Sequence, residues 1–285
     1  MEQLTRALPR ACNIARWAWA GALLVSLALV PADGDAASRK AAASRAAAAK
    51  HPQCPSEGTR SVIFAKALDG SSFVTPDGME IRLAGVLSPG EGGETLSAAQ
   101  ADTARTTLAA LLRSGPLTLA GDESPRDRYG RVHAQVFAGG ASVQSALLRA
   151  GNVRVAPDRA SALCAQEFIS AESEARAQRS GHWRDGLFAL RTPEQLDNRI
   201  GTFQIVDGTV TTATLYKGRA YINFGADYRK DFTVTVSPQD MKLFRQARFD
   251  VRKLAGQRVR VRGWLELYNG PEMEIANPAA IERID

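Results

Sequence analysis

The chain has 285 residues, with 36 Lys and Arg against 30 Asp and Glu, a formal net charge of +6 and a pI near 9.5. That length allows two modest domains, each burying its own core, and the basic balance favours a polyanionic partner. A cysteine–histidine metal centre is disfavoured, because there is no Cys-x-x-Cys pair and the three histidines, His51, His133 and His182, are scattered.

The N-terminus reads as an export signal over residues 1–37. Arg6, Arg10 and Arg16 precede the apolar run 17–30, and small residues follow at Ala32, Ala36 and Ala37. The expected location is therefore periplasmic or secreted. A membrane-spanning helix needs ~20 apolar residues, so the run is short for a permanent anchor; a retained signal anchor is the alternative and the one route to a membrane partner. Residues 38–53 are alanine-rich and basic without apolar periodicity, as in a tether.

Residues 54–186 read as a first domain. Strands are expected at 61–67, 73–75 and 79–83, separated by turns at Asp69-Gly70 and Pro76-Asp77-Gly78. A glycine-rich loop (Gly90, Gly92, Gly93) leads to a helix over 97–113, then strands at 117–120 and 131–137 and helices over 142–150 and 160–179. Five short strands with three helices make an α+β fold of the OB-barrel type. Export leaves Cys54 and Cys164 as the two mature cysteines. An oxidising compartment would join them as a disulfide tying the N-terminal arm to the last helix, the alternative being two free thiols.

The pattern restarts over residues 187–285. Thr192-Pro193-Glu194 opens a short helix, strands are expected at 201–210, 219–224, 231–236, 258–264 and 273–276, and a helix at 238–249 precedes the fourth. A smaller, mostly β, OB-like domain is expected. Strict alternation in the fourth strand turns Val259 and Val261 inward and Arg258, Arg260 and Arg262 outward. OB-folds bind single strands by joining cationic grooves to aromatic platforms, so this arginine row is a nucleic-acid candidate, with a solvated strand face as the alternative.

Four blocks occur in fixed order: Asp69-Gly70-Ser71-Ser72-Phe73, then Ile81-Arg82-Leu83-Ala84-Gly85-Val86-Leu87-Ser88-Pro89, then Asp127-Arg128-Tyr129-Gly130-Arg131, then Val143-Gln144-Ser145-Ala146-Leu147-Leu148-Arg149-Ala150-Gly151. With Ser173-Glu174-Ala175-Arg176-Ala177 and Gly181-His182-Trp183, they resemble the staphylococcal nuclease family over about residues 61–183. The resemblance implies cleavage of DNA and RNA phosphodiesters with one calcium ion, two phosphate-binding arginines and a water-activating glutamate. It also implies a calcium cage of two aspartates and a threonine carbonyl.

Carried over residue by residue, the arginines are Arg82 and Arg131, and Tyr129 stands where the family places a tyrosine beside the phosphate. Two guanidinium forks can hold a phosphodiester and offset the extra charge of its transition state. The cage departs from the pattern. Ser71 and Leu87 stand at the two calcium carboxylates, Ser88 replaces the threonine, Asp69 belongs to an outer position, and Gly90 falls at the general base. Glu91 and Glu94, displaced by one and four residues, are candidate bases. The expectation is thus an exported protein that binds nucleic acid or another polyanion through an arginine clamp, without calcium-dependent catalysis and with no cofactor. An active nuclease using a displaced glutamate, with calcium in that case alone, and a structural or interaction protein of the cell envelope are the alternatives.

Overall fold

A computed structural model describes residues 54–120, 126–158 and 161–284, which lie in one compact unit, Pro52–Asp285. The export signal and basic linker expected over residues 1–53 fall outside the described residues. No helix among the described residues is long and apolar enough to cross a membrane.

The first half carries β1 (Arg60–Val62), β2 (Lys66–Ala67), β3 (Ser72–Val74), β4 (Glu80–Leu83), β5 (Val86–Leu87), β6 (Leu117–Ala120), β7 (Val132–Ala138), β8 (Ala141–Ser142) and β9 (Arg154–Val155). Its helices are α1 (Ala98–Leu112), α2 (Val143–Arg149) and α3 (Ala165–Ala177). Local chemistry sets the helix starts. Ser97 accepts from the Gln100 backbone N–H while the Gln100 side chain accepts from the Ser97 N–H, a reciprocal capping box. Ser142 caps α2 by accepting from the Ser145 N–H. Helix α1 buries Ala104, Leu108 and Leu112, four residues apart and so on one face.

The main sheet runs β1-β6-β7-β4-β3-β2, with β8 on β7. Strands β4 and β7 are parallel, whereas β2-β3, β3-β4, β6-β7 and β1-β6 are antiparallel. The ends of the path, β1 and β2, are consecutive pieces of one segment interrupted at Ile63-Phe64-Ala65. The five-stranded OB-type barrel expected from the sequence is seen as an open path of ladders among the described residues, both ends of which lie on this one segment. Phe73, Ile81, Leu83, Leu108, Leu119 and Phe168 are almost fully buried in its core, each contributing roughly 1.5–3 kcal/mol by leaving water. Cys54 and Cys164 form a disulfide with Cα atoms 4.4 Å apart, pinning the N-terminal arm to the start of α3.

The second half carries β10 (Leu190–Arg191), β11 (Phe203–Thr209), β12 (Thr212–Tyr216), β13 (Arg219–Asn223), β14 (Thr233–Val236), α4 (Met241–Gln246), β15 (Arg258–Trp264), β16 (Glu266–Leu267), β17 (Pro271–Glu274) and β18 (Ile281–Arg283). Two ladders result, β10-β11-β15-β18 and β12-β13-β14-β17-β16. Here too an antiparallel run of three strands, β12-β13-β14, is followed by a parallel partner, β17. Helix α4 intervenes between β14 and β15, as α1 does between β4 and β6. The Asn269-Gly270 turn into β17 has both residues at positive φ, 51° and 96°, the backbone that a tight hairpin requires of its two central residues.

A third apolar cluster, Leu87, Ala175, Trp183, Phe188, Phe203 and Ile205, joins residues of both halves. Beside it the wholly buried Arg262 of β15 donates to Glu172 of α3 at 2.7 Å.

Candidate phosphate-binding site

The parallel register of β4 and β7 sets Arg82 opposite His133. Ile81 and Leu83 point into the core, with 0% and 1% exposure, so Glu80 and Arg82 take the other face. Arg131 immediately precedes β7, and its Nε lies 4.0 Å from Oε1 of Glu80.

The turn before β7 is built on Asp127. Its Oδ1 accepts the Tyr129 and Arg131 backbone N–H groups at 2.9 and 3.0 Å, and Gly130 closes the turn at φ 81°. Oδ2 accepts Arg131 Nε at 2.7 Å and lies 3.2 Å from His133 Nε2. Arg131 is thereby oriented through Nε, and its guanidinium lies over the Tyr129 ring at 5.1 Å from the centroid. Burial pushes the Asp127 carboxyl up, but these hydrogen bonds outweigh it and hold the group well below the usual carboxylate range. The second His133 nitrogen, Nδ1, lies 3.4 Å from Asp158 Oδ2. The Asp158 hydrogen bond, opposed by burial and supported by Asp127, raises the His133 pKa above that of an ordinary histidine.

Arg82 faces a different carboxylate. Its Nη1 pairs with Glu91 Oε1 and lies 3.4 Å from Ser71 Oγ. Glu91 Oε2 accepts Ser71 Oγ at 2.5 Å, Ser88 N at 2.7 Å and Ser88 Oγ at 2.8 Å. Burial raises the Glu91 pKa, and the Arg82 charge with this set of donors more than reverses it, leaving the carboxyl below its ordinary value. Asp69 accepts the Ser71 backbone N–H at 2.7 Å and Ser72 Oγ at 2.6 Å. Of the two displaced glutamates, Glu91 joins Ser71 and Arg82, whereas Glu94 pairs with Arg154.

These residues do not fit a calcium cage of the family type. A hard cation needs several oxygen ligands, most of its attraction coming from carboxylates. Asp69 and Glu91 share the Ser71 hydroxyl, but Leu87 is buried in the apolar cluster that joins the halves. Among the described residues no group of three or more His, Cys, Asp or Glu is placed to hold a metal. Gly90, at φ 88°, is a turn residue with a Leu96 side chain beside it.

The outward arginine row needs correction. Val259 and Val261 are buried as alternation requires, but so is Arg262, which lies among Glu172, Glu282 and the Val155 carbonyl. At the Arg262 end of the strand, the side opposite the valines meets Glu172 of α3, a contact that strand alternation cannot report. Arg260 is held by Asp207 through two 2.7 Å hydrogen bonds. Arg258 alone of the three is exposed. Sequence reasoning also passed over Asp127, His133 and Asp158 as a unit. The available signal was the spacing of His133 from Arg131, which in a strand puts both on one face.

Residues 80–185 match the family model described as staphylococcal nuclease homologue. The matched segment holds Arg82, Glu91, Tyr129, Arg131 and His133. No curated protein matches the chain.

Proposed function

From the premise that residues 80–185 are a domain of the staphylococcal nuclease family, we propose that the protein is exported and binds nucleic acid through its backbone phosphates, without calcium-dependent hydrolysis. The observation that carries this reading is the β4–β7 register, which pairs Arg82 with His133, two residues after Arg131; the 4.0 Å approach of Arg131 Nε to Glu80 of β4 supports a shared face. Arg131 spends only Nε on Asp127, leaving the outer edge of its guanidinium for a phosphate. Tyr129, 66% exposed beneath it, offers a ring for a base or sugar to lie against. The disulfide supports export, since such bonds persist in oxidising compartments. The shared strand order, with a helix entering before the fourth strand, supports an OB-type reading of both halves.

Two features weigh against hydrolysis. Leu87 and Ser71 supply no metal carboxylates. Glu91 is saturated by donors that lower its basicity, and a general base works best near neutrality. The reading is tested by titrating labelled single-stranded and duplex DNA and RNA at several salt concentrations. Affinity should fall steeply with salt, and Arg131→Ala should weaken binding and lower the salt slope by about one. Salt-insensitive binding, or none that responds to Arg131→Ala, would refute it.

One observation favours a second reading, an active phosphodiesterase. Glu91 is in contact with Arg82, beside any phosphate that arginine would hold. Hydrolysis abolished by Glu91→Gln would establish that reading in place of the first.

A further inference from the structure

Where the glycine loop meets the second half, three arginines converge without matching acids. Arg154 of β9, Arg191 of β10 and Arg199 line a cavity of about 50 Å³ with Glu94, Thr202 and Gln204. Glu94 is the one carboxylate of the lining and is committed to Arg154. Arg191 and Arg199 form no ion pair among the described residues.

Arg154 is the central member. Its side chain is 3% exposed, and the guanidinium lies between the rings of Phe188 and Phe203, 5.2 and 4.8 Å from their centroids. The Nε atoms of Arg154 and Arg191 are buried with no hydrogen-bond partner among the described residues. A buried unsatisfied donor costs about 1–3 kcal/mol, more when charged, so such groups mark places where a partner belongs. Burial, and then the charge of Arg199, lower the Arg191 pKa, as expected of cations gathered without a counterion.

The backbone is shaped around the cluster. A Cβ at Gly92 would lie 1.5 Å from Arg154 Nη2, and one at Gly93 would lie 2.7 Å from Thr202 Cγ2. The Phe203 N–H donates to the Gly92 carbonyl at 2.8 Å, fastening the loop to β11.

We propose that Arg154, Arg191 and Arg199 form a second anion site, separate from Arg82 and Arg131, that takes one small tetrahedral oxyanion of the phosphate class. Planar guanidinium forks match phosphate oxygens, and three cations against one carboxylate leave two positive charges in excess. The cavity is large enough for a few waters or one such ion. Free phosphate and the terminal phosphate of a polynucleotide present the same chemistry to it.

The test is calorimetric titration of the full chain with inorganic phosphate at fixed ionic strength, chloride replacing phosphate in the control. One saturable site is expected, weakened at least about tenfold by Arg191→Gln or Arg199→Gln and unchanged by Arg131→Ala. Arg191→Lys keeps the charge and stem while removing the fork, and should also weaken binding if the glutamine variants fail to fold. A 5′-phosphorylated oligonucleotide that outcompetes its unphosphorylated twin, in the Arg131→Ala background, assigns the site to a polynucleotide end. Equal competition, with phosphate bound, assigns it to the free ion. Absence of saturable binding by both probes, binding untouched by the Arg191 and Arg199 changes, or binding lost only in Arg131→Ala would overturn the proposal.

Discussion

Arg262 donates to the Glu172 carboxylate at 2.7 Å across 90 residues of sequence, with both side chains 0% exposed. Burial disfavours the Arg262 charge, but Glu172 and Glu282 more than restore it, raising its pKa. The remaining Glu172 oxygen accepts the Val155 N–H at 2.7 Å, so the pair fastens β15 to both α3 and β9. Removing one partner of a buried pair strands the other, a loss of ~3–5 kcal/mol. Arg176 Nη1, 3.3 Å from the same Glu172 oxygen, leaves that carboxylate one cationic partner, so Arg262→Met should lower urea-unfolding stability toward the lower end of that range. Arg262→Met with Glu172→Gln should be milder, since a glutamine still accepts from Val155 without a stranded charge. A double variant as unstable as the sum of the singles would show that the two residues are not coupled.

The Cys54–Cys164 bond closes a 110-residue separation. Loops of that length are worth ~4–5 kcal/mol in the chain-entropy treatment. Cys54→Ala/Cys164→Ala should lose stability on that scale, and reductant should lower the unfolding midpoint of the wild type alone. Superimposable unfolding curves with and without reductant would show that the bond contributes nothing.

His133 makes stability depend on pH in a defined direction. Its folded pKa is raised, chiefly by Asp158, so its contribution is full below the unfolded value of about 6.5 and is lost as pH rises through the higher folded value. The Asp158 carboxyl is pushed up by burial and pulled further down by His133 and Ser161. Its contribution is therefore present above the unfolded value of about 3.9 and fades as pH falls through the lower folded one. Melting temperature should decline from about pH 6 toward pH 9 in the wild type, and His133→Gln should flatten that decline. An equal alkaline decline in both proteins would remove His133 as its cause.

The first half was readable from the chain because its signals are local. Ser97 with Gln100, Ser142, and the alternating Ile81 to Leu83 each fix an element within a few residues. Segment 61–67 was legible as extended but not as broken at Ile63-Phe64-Ala65, since the interruption reflects a change of partner from β6 to β3. Strand β12 escaped notice because Thr214, Leu215 and Tyr216 are all exposed, so the segment lacks the alternation of a half-buried strand. Arg262 was misplaced for the opposite reason. Its alternation was correct, but Glu172 of α3 meets the strand at that one position of the face assigned to solvent. In the candidate site, Arg82, Arg131 and Tyr129 were identifiable by motif, whereas Glu91's contacts depend on how Gly90 turns the loop and how β11 anchors it.

Glu91 decides how Arg82 can be used. Its carboxylate occupies Arg82, so an incoming phosphate must displace an internal anion or share the guanidinium with it. Glu91→Gln keeps the hydrogen bonds that an amide oxygen can accept while removing the competing charge. Nucleic-acid affinity should then rise about 3–10-fold and the salt dependence steepen by about one, because Arg82 becomes available to the backbone. Calcium should leave both proteins without phosphodiester hydrolysis, since Leu87 is bound into the apolar cluster of Trp183, Phe188 and Phe203 and supplies no ligand. Anisotropy titrations with and without calcium, beside a plasmid-cleavage assay, measure both outcomes. Unchanged or weaker binding by Glu91→Gln would mean that Glu91 does not compete for Arg82. Calcium-dependent cleavage by the wild type, lost in Glu91→Gln, would instead make Glu91 the base of an active nuclease.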